Sequence, residues 1–127
     1  MAGLSDEKNI ICSSDALTEC GRGVRFTVSW HDALRPAFVI RFHGRVFGYL
    51  NRCSHRQIEL DWEHGEFFDY SRRTLICATH GARYAPDSGM CLGGPCGGAG
   101  LTPLGVRESG GEIFLEPVDA IHLVPSN

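Results

Sequence analysis

Apolar and polar positions alternate along this chain far more often than they recur at helical spacing. Val24-Arg25-Phe26-Thr27-Val28-Ser29-Trp30 places an apolar residue at every second position, the period of a strand with one buried face. Ala37 to Phe42 and Arg45 to Leu50 are apolar-rich runs separated by His43-Gly44, a two-residue loop of the kind that closes a tight hairpin. Leu104 to Glu108 and Glu112 to Glu116 bracket Ser109-Gly110-Gly111 in the same way and predict a second hairpin. Thr74 to Cys77 reads as a short strand running into a turn. No stretch beyond about ten residues holds a 3.6-residue period. Helix is therefore confined to a single turn, at Ala33–Arg35 or Asp61–Gly65. With 16 glycines punctuating short segments, the chain reads as all-β.

Two stretches break the alternation. Cys53 to Leu60 follows the first hairpin as a loop, and His80 to Leu101 is rich in Gly and Pro, closing on Leu92-Gly93-Gly94-Pro95-Cys96-Gly97-Gly98-Ala99-Gly100. A Gly-rich loop in a small β-domain is expected to approach something closely, since only glycine allows tight backbone contact. Neither repeats nor a linker interrupt the chain. Its 127 residues suit one domain over 1–127, because domains cluster at roughly 100–150 residues.

Composition narrows the function classes. A net charge of −3 without any Lys/Arg run leaves no footprint for nucleic acid. The longest apolar runs are about five residues, far short of the roughly 20 that a membrane span needs. The first eight residues carry neither a basic nor an apolar leader region, so we expect no secretory signal, no membrane and a cytoplasmic location. Cytosolic thiols are kept reduced, which argues against a disulfide framework for the six cysteines and turns attention to metal binding.

The chemistry-bearing pattern is Cys53-Ser54-His55 paired with Cys77-Ala78-Thr79-His80-Gly81. Each unit offers one thiolate and one imidazole, and each follows a predicted strand. Two loops leaving adjacent strands can face each other and supply four ligands to one centre. Thiolates suit iron–sulfur clusters and zinc, and imidazole serves iron and zinc alike. A Cys2His2 set is thus open to a structural zinc reading. Zinc fingers, however, usually pair Cys with Cys and His with His along the chain, whereas here each loop is mixed.

The two units, written C-x-H and C-x-x-H-G, closely resemble those of the Rieske [2Fe–2S] family, in which two thiolates hold one iron and two imidazoles the other. Gly94-Pro95 stands where that family has a Gly-Pro loop, and the closing hairpin follows. The resemblance covers roughly residues 24–116. It implies a Rieske-type fold of antiparallel sheets: a base, here about 10–48 and 98–120, with an inserted cluster-binding subdomain of about 49–97. It further implies one [2Fe–2S] cluster with Cys53 and Cys77 on the inner iron and His55 and His80 on the solvent-facing one. Tyr84, Gly94 and Pro95 would surround it, the Pro95 loop covering a third side.

Features around the motif sort among subclasses. Quinol-oxidising members carry a transmembrane helix and one more cysteine in each ligand loop. Here Arg56-Gln57 follows His55 and Ala78-Thr79 lies between Cys77 and His80. Oxygenase catalytic subunits add a long domain; with 11 residues after Glu116, we expect none here. What remains is a soluble ferredoxin passing single electrons between a reductase and a terminal oxygenase or similar redox enzyme. The alternative is a small subunit of a larger oxidoreductase of the nitrite reductase type. Neither needs a catalytic residue or a small-molecule substrate pocket, so the chain itself is expected not to be an enzyme.

High-potential members resemble the pattern His-Gly-Ser-x-Tyr, whose hydroxyls donate to cluster sulfur. This chain reads His80-Gly81-Ala82-Arg83-Tyr84, which keeps the tyrosine and loses the serine. A low potential, somewhat above the bottom of the family's range of about −150 to +300 mV, is the expectation. Tyr84 either donates to the cluster or only packs. Cys91 and Cys96 flank the Gly-Pro loop and read mainly as inert buried thiols, with oxidation-sensitive chemistry as the other option. Cys12 and Cys20 carry no spacing signal, and His31, His43, His64 and His122 suit turns or surface. Glu59, Asp61, Glu63, Glu66 and Asp69 form either a solvated face or an acidic docking patch.

Overall fold

The computed structural model describes residues 9–52, 59–61, 65–78, 81–96, 99–116 and 121–124. Its strands are β1 (Ile10–Ser13), β2 (Val24–Trp30), β3 (Ala33–Phe42), β4 (Arg45–Leu50), β5 (Leu75–Ile76), β6 (Arg83–Tyr84), β7 (Cys91–Gly93), β8 (Pro103–Leu104), β9 (Val106–Ser109), β10 (Glu112–Leu115) and β11 (Ile121–Val124). A 3-10 turn at Ser14–Ala16 follows β1. Three antiparallel sheets result, in the orders β11-β2-β3-β4-β8, β1-β10-β9 and β5-β6-β7. The all-β expectation holds.

Three hairpins have two-residue loops with both residues at positive φ, the backbone that matches the twist of the strands. His43 and Gly44 join β3 to β4, and Gly110 and Gly111 join β9 to β10, as the sequence predicts. The Glu19 carboxylate accepts the backbone N–H groups of both His43 and Gly44. His31 and Asp32 join β2 to β3, with Trp30 opposite Ala33. Ala33–Arg35 is therefore strand and not the expected helical turn. No glycine advertises this bend, but His and Asp tolerate the left-handed region better than most residues. Asp61 and Gly65 lie in no helix, and residues 62–64 fall outside the described set.

β3 shows why four successive residues are buried. Phe38, Ile40 and Phe42 point to a cluster shared with Phe67, Leu75, Cys77, Ala82, Tyr84 and Cys96. Ala37 and Val39, on the opposite face, meet Val28, Leu50 and Leu115 or Leu17 and Ile113. A strand covered on both faces reads as a continuous apolar run. The five-stranded sheet is thus the middle layer, with β1-β10-β9 against one face and the β5-β6-β7 region against the other. Among the described residues no helix is long and apolar enough to cross a membrane.

Candidate metal centre

Of the four ligand candidates, Cys77 is described, while Cys53, His55 and His80 lie outside the described residues. Cys77 leaves the end of β5 fully buried, within the cluster that includes Ala82, Tyr84 and Cys96. Its N–H donates to the Ala82 carbonyl at 2.8 Å, and the Gly81 N–H donates to the Cys77 carbonyl at 2.9 Å. These two bonds hold Gly81 and Ala82 against Cys77. Gly81 takes φ +75°, a conformation that costs glycine nothing.

The flanks of the first ligand segment are pinned together. Asn51, 1% exposed, accepts the Leu60 N–H on its side-chain oxygen at 2.8 Å. Its amide group donates to Asp61 at 2.9 Å and to Glu59 at 3.3 Å. The Asp61 side chain has no exposure and pairs with Arg25 of β2 at 3.4 Å. The oxygen that faces Arg25 also accepts the Gly65 N–H at 2.9 Å. Arg25 also pairs with Glu59. The Ala78 N–H donates to the Leu60 carbonyl at 3.0 Å, which joins the exit of the first segment to the start of the second. The Arg25 Nε has no hydrogen bond in this network, and its contact with Asp61 is an ion pair.

The glycine-rich loop makes the close approach its composition suggests. At Gly94, φ +82°, a Cβ would sit 2.9 Å from the Gly81 oxygen and 3.0 Å from the Ala82 Cα. The loop therefore rests on the turn that follows His80, with Pro95 exposed and Cys96 buried. Tyr84 is fully buried, as is Ala82. Tyr49 ties β4 to the same region by donating its hydroxyl to the Pro86 carbonyl at 2.7 Å; burial and the nearby Asp87 push that phenol well above its usual range.

One expectation is corrected. Cys91 and Cys96 are not inert thiols but form a disulfide around Leu92-Gly93-Gly94-Pro95, so the expectation of no disulfides fails. Cys12 and Cys20 are not disulfide-bonded. All four described acidic residues of the segment between the two motif units are paired with arginines. Glu59 and Asp61 pair with Arg25, Glu66 with Arg22, and Asp69 with Arg83; Glu63 and Arg56 lie outside the described residues. Burial alone would raise the Asp69 pKa, yet hydrogen bonds from Ser71, Thr74 and Arg83 outweigh it and hold the carboxyl well below its usual range. The Asn51–Asp61–Arg25 network carries no sequence signal beyond a polar residue at each edge of the first loop. The C-x4-C spacing across Gly-Gly-Pro was the visible sign of the disulfide.

Comparison with known proteins adds to this geometry. The profile of the Rieske [2Fe–2S] domain family matches residues 7–108. The ferredoxin of carbazole 1,9a-dioxygenase from Nocardioides aromaticivorans IC177 is similar in structure, with a TM-score of 0.66 and 22% identity over 86% of this chain and 96% of its own. A ferredoxin from Sphingomonas yanoikuyae B1 gives a TM-score of 0.67 at 18% identity, covering 87% of this chain and 99% of its own. A chain in a complex of reduced oxygenase and oxidised ferredoxin of carbazole 1,9a-dioxygenase gives 0.66 at 20% identity, covering 84% and 99%. A search of curated protein sequences found no match.

Proposed function

Because the chain belongs to the Rieske [2Fe–2S] domain family, which binds one such cluster and not structural zinc, we propose that it is a ferredoxin-type electron carrier of the cytoplasm. In this reading Cys53, His55, Cys77 and His80 hold the cluster, which supplies one-electron oxidation and reduction at a single site. The chain accepts electrons from a reductase and delivers them to a terminal oxygenase or a similar redox enzyme. The cluster-binding subdomain spans about residues 49–97 and takes in β5-β6-β7.

The observation that carries the reading is the Leu60–Ala78 hydrogen bond. It brings the flanks of the two ligand segments, far apart in sequence, against each other. Buried Cys77 suits a thiolate on the shielded side of a cluster, where low exposure keeps water from the sulfur. Partners of the oxygenase kind are supported by the similar ferredoxin chain found in complex with an oxygenase, and a carrier is supported by ferredoxins of nearly equal extent.

Iron and acid-labile sulfide analysis with visible and EPR spectra tests the ligand set. Wild-type protein should contain both in equal amounts. Cys53→Ser, His55→Ala, Cys77→Ser and His80→Ala should each lose the iron, while Cys12→Ser and Cys20→Ser keep it. Colourless wild-type protein, or iron retained in the ligand variants, would overturn the assignment. Oxidation makes ligand imidazoles more acidic, so the midpoint potential should fall as pH rises into the alkaline range. Tyr84→Phe sharpens the picture: loss of a hydroxyl bond to the cluster worth ~1 kcal/mol would lower a one-electron potential by roughly 40 mV. An unchanged potential means that Tyr84 only packs.

A further inference from the structure

We propose that Cys91 and Cys96 are a reversible thiol–disulfide exchange site, and that their redox state sets how firmly the Gly94–Pro95 loop is held on the second ligand turn. The second half rests on the ligand assignment above; the first does not.

The two cysteines lie on opposite arms of one loop with Cα atoms 6.0 Å apart. Cys91 belongs to β7, opposite Tyr84 of β6, and is half-buried. Cys96 is 3% exposed and packs in the cluster that contains Cys77, Ala82 and Tyr84. Solvent thus reaches the pair through Cys91, next to Leu92, which is 56% exposed. The Cys96 sulfur lies 3.3 Å from the Gly93 carbonyl oxygen, which can accept its S–H once the bond is open. A reduced pair has a place for its buried thiol, so opening leaves no orphaned polar group.

Exchange with an organic disulfide balances without another reactant. The Cys91 thiolate attacks one sulfur of the incoming disulfide and releases one organic thiol. Cys96 then displaces the second organic thiol and closes the Cys91–Cys96 bond. Two protein thiols lose two electrons, the organic disulfide gains them, and the two protons leave on the thiols. Reduction is the reverse: an organic thiolate attacks the accessible Cys91 sulfur, and Cys96 departs into the cluster as a thiol.

The consequence for the metal centre follows from position. The bond encloses Leu92-Gly93-Gly94-Pro95, and Gly94 is the residue pressed against Gly81 and Ala82. Closing the ring removes open conformations of the loop, so the disulfide keeps its cover on the turn after His80. Opening it leaves the loop held by β7 pairing, a two-position ladder on β6, and by the packing of Cys96 in the cluster.

The test equilibrates holoprotein in glutathione buffers ranging from reducing to oxidising, with acid quench, alkylation and mass analysis of the peptide that carries both cysteines. Iron release to a chelator is followed in parallel. We expect the pair to convert within this range and iron release to be about fivefold faster on the dithiol side. Cys91→Ser should release iron at the dithiol rate in every buffer; if that variant fails to load, the wild-type series decides alone. A pair that stays dithiol throughout, or disulfide throughout, overturns the exchange site. Conversion with an unchanged iron-release rate overturns the coupling. An iron-free chain whose pair still converts sinks the ligand assignment and the coupling together, and supports exchange.

Discussion

The middle sheet and the small sheet beside the metal centre are held by different physics. β2, β3 and β4 span 7, 10 and 6 residues and join through unbroken registers. β5, β6 and β7 span 2, 2 and 3. Long strands gain many ladder bonds and cover apolar area on both faces; strands of two residues gain few ladder bonds. The small sheet is instead fastened by side-chain and backbone crosslinks: the Asp69 carboxylate bonding Ser71, Thr74 and Arg83, the Asn51–Asp61 clamp, the Gly94 approach and one disulfide. The base therefore depends on long ladders and buried area, and the small-sheet side adds particular polar and sulfur groups to the buried area around Leu75, Ala82 and Tyr84. Changes in solution chemistry should reach the second before the first.

The largest effect should come from cutting the seam between the two regions. Phe67 stacks on Phe38 with centroids 3.9 Å apart, and both are fully buried. Phe67→Ala should cost ~3–5 kcal/mol, read as a lower urea midpoint in both regions at once. A loss confined to the small sheet would show that the regions unfold separately. Next comes Asp61→Ala, which deletes a buried charge with three partners and should cost ~3 kcal/mol. Iron content should drop along with stability, because the same residue clamps the first ligand segment; full iron content in a destabilised variant would separate the two roles.

Smaller changes sharpen the contrast. Gly94→Ala forces a side chain into a left-handed position against backbone and should cost ~1–2 kcal/mol. Faster iron release should accompany it, with hydrogen exchange in β2–β4 unaltered. The smallest effect belongs to the base. Glu108 pairs with Arg41 through both carboxylate oxygens, and the Arg41 hydrogen bonds lower its pKa from 4.5 to about 2. Folding lowers this pKa, so the pair stabilises above the unfolded value of 4.5, and the gain disappears as pH falls towards 2. Glu108→Gln should cost ~1 kcal/mol at neutral pH, as expected of an exposed pair with good geometry, and nothing at pH 2 by thermal melting.

Much of the base was legible from neighbouring residues. Period-2 alternation marked β2, and His43-Gly44 and Gly110-Gly111 marked hairpins, because glycine advertises a left-handed bend. His31-Asp32 carries the same bend without that signal, and the start of β3 was misread as a result. Within the Gly-rich stretch, β6 and β7 were missed because two or three residues are too few to show a period.

For the proposed metal centre, the chain alone supplied the candidate donors and their spacing, Cys53-x-His55 and Cys77-x-x-His80, since thiolate and imidazole chemistry resides in residue identity. It also determined that a glycine-rich loop would press closely on a neighbour. Only the tertiary structure decided that the neighbour is Gly81–Ala82, that Arg25 reaches Asp61, and that Cys91 meets Cys96. Each of these depends on how loops return across the middle sheet, and long-range return paths leave no local period to read.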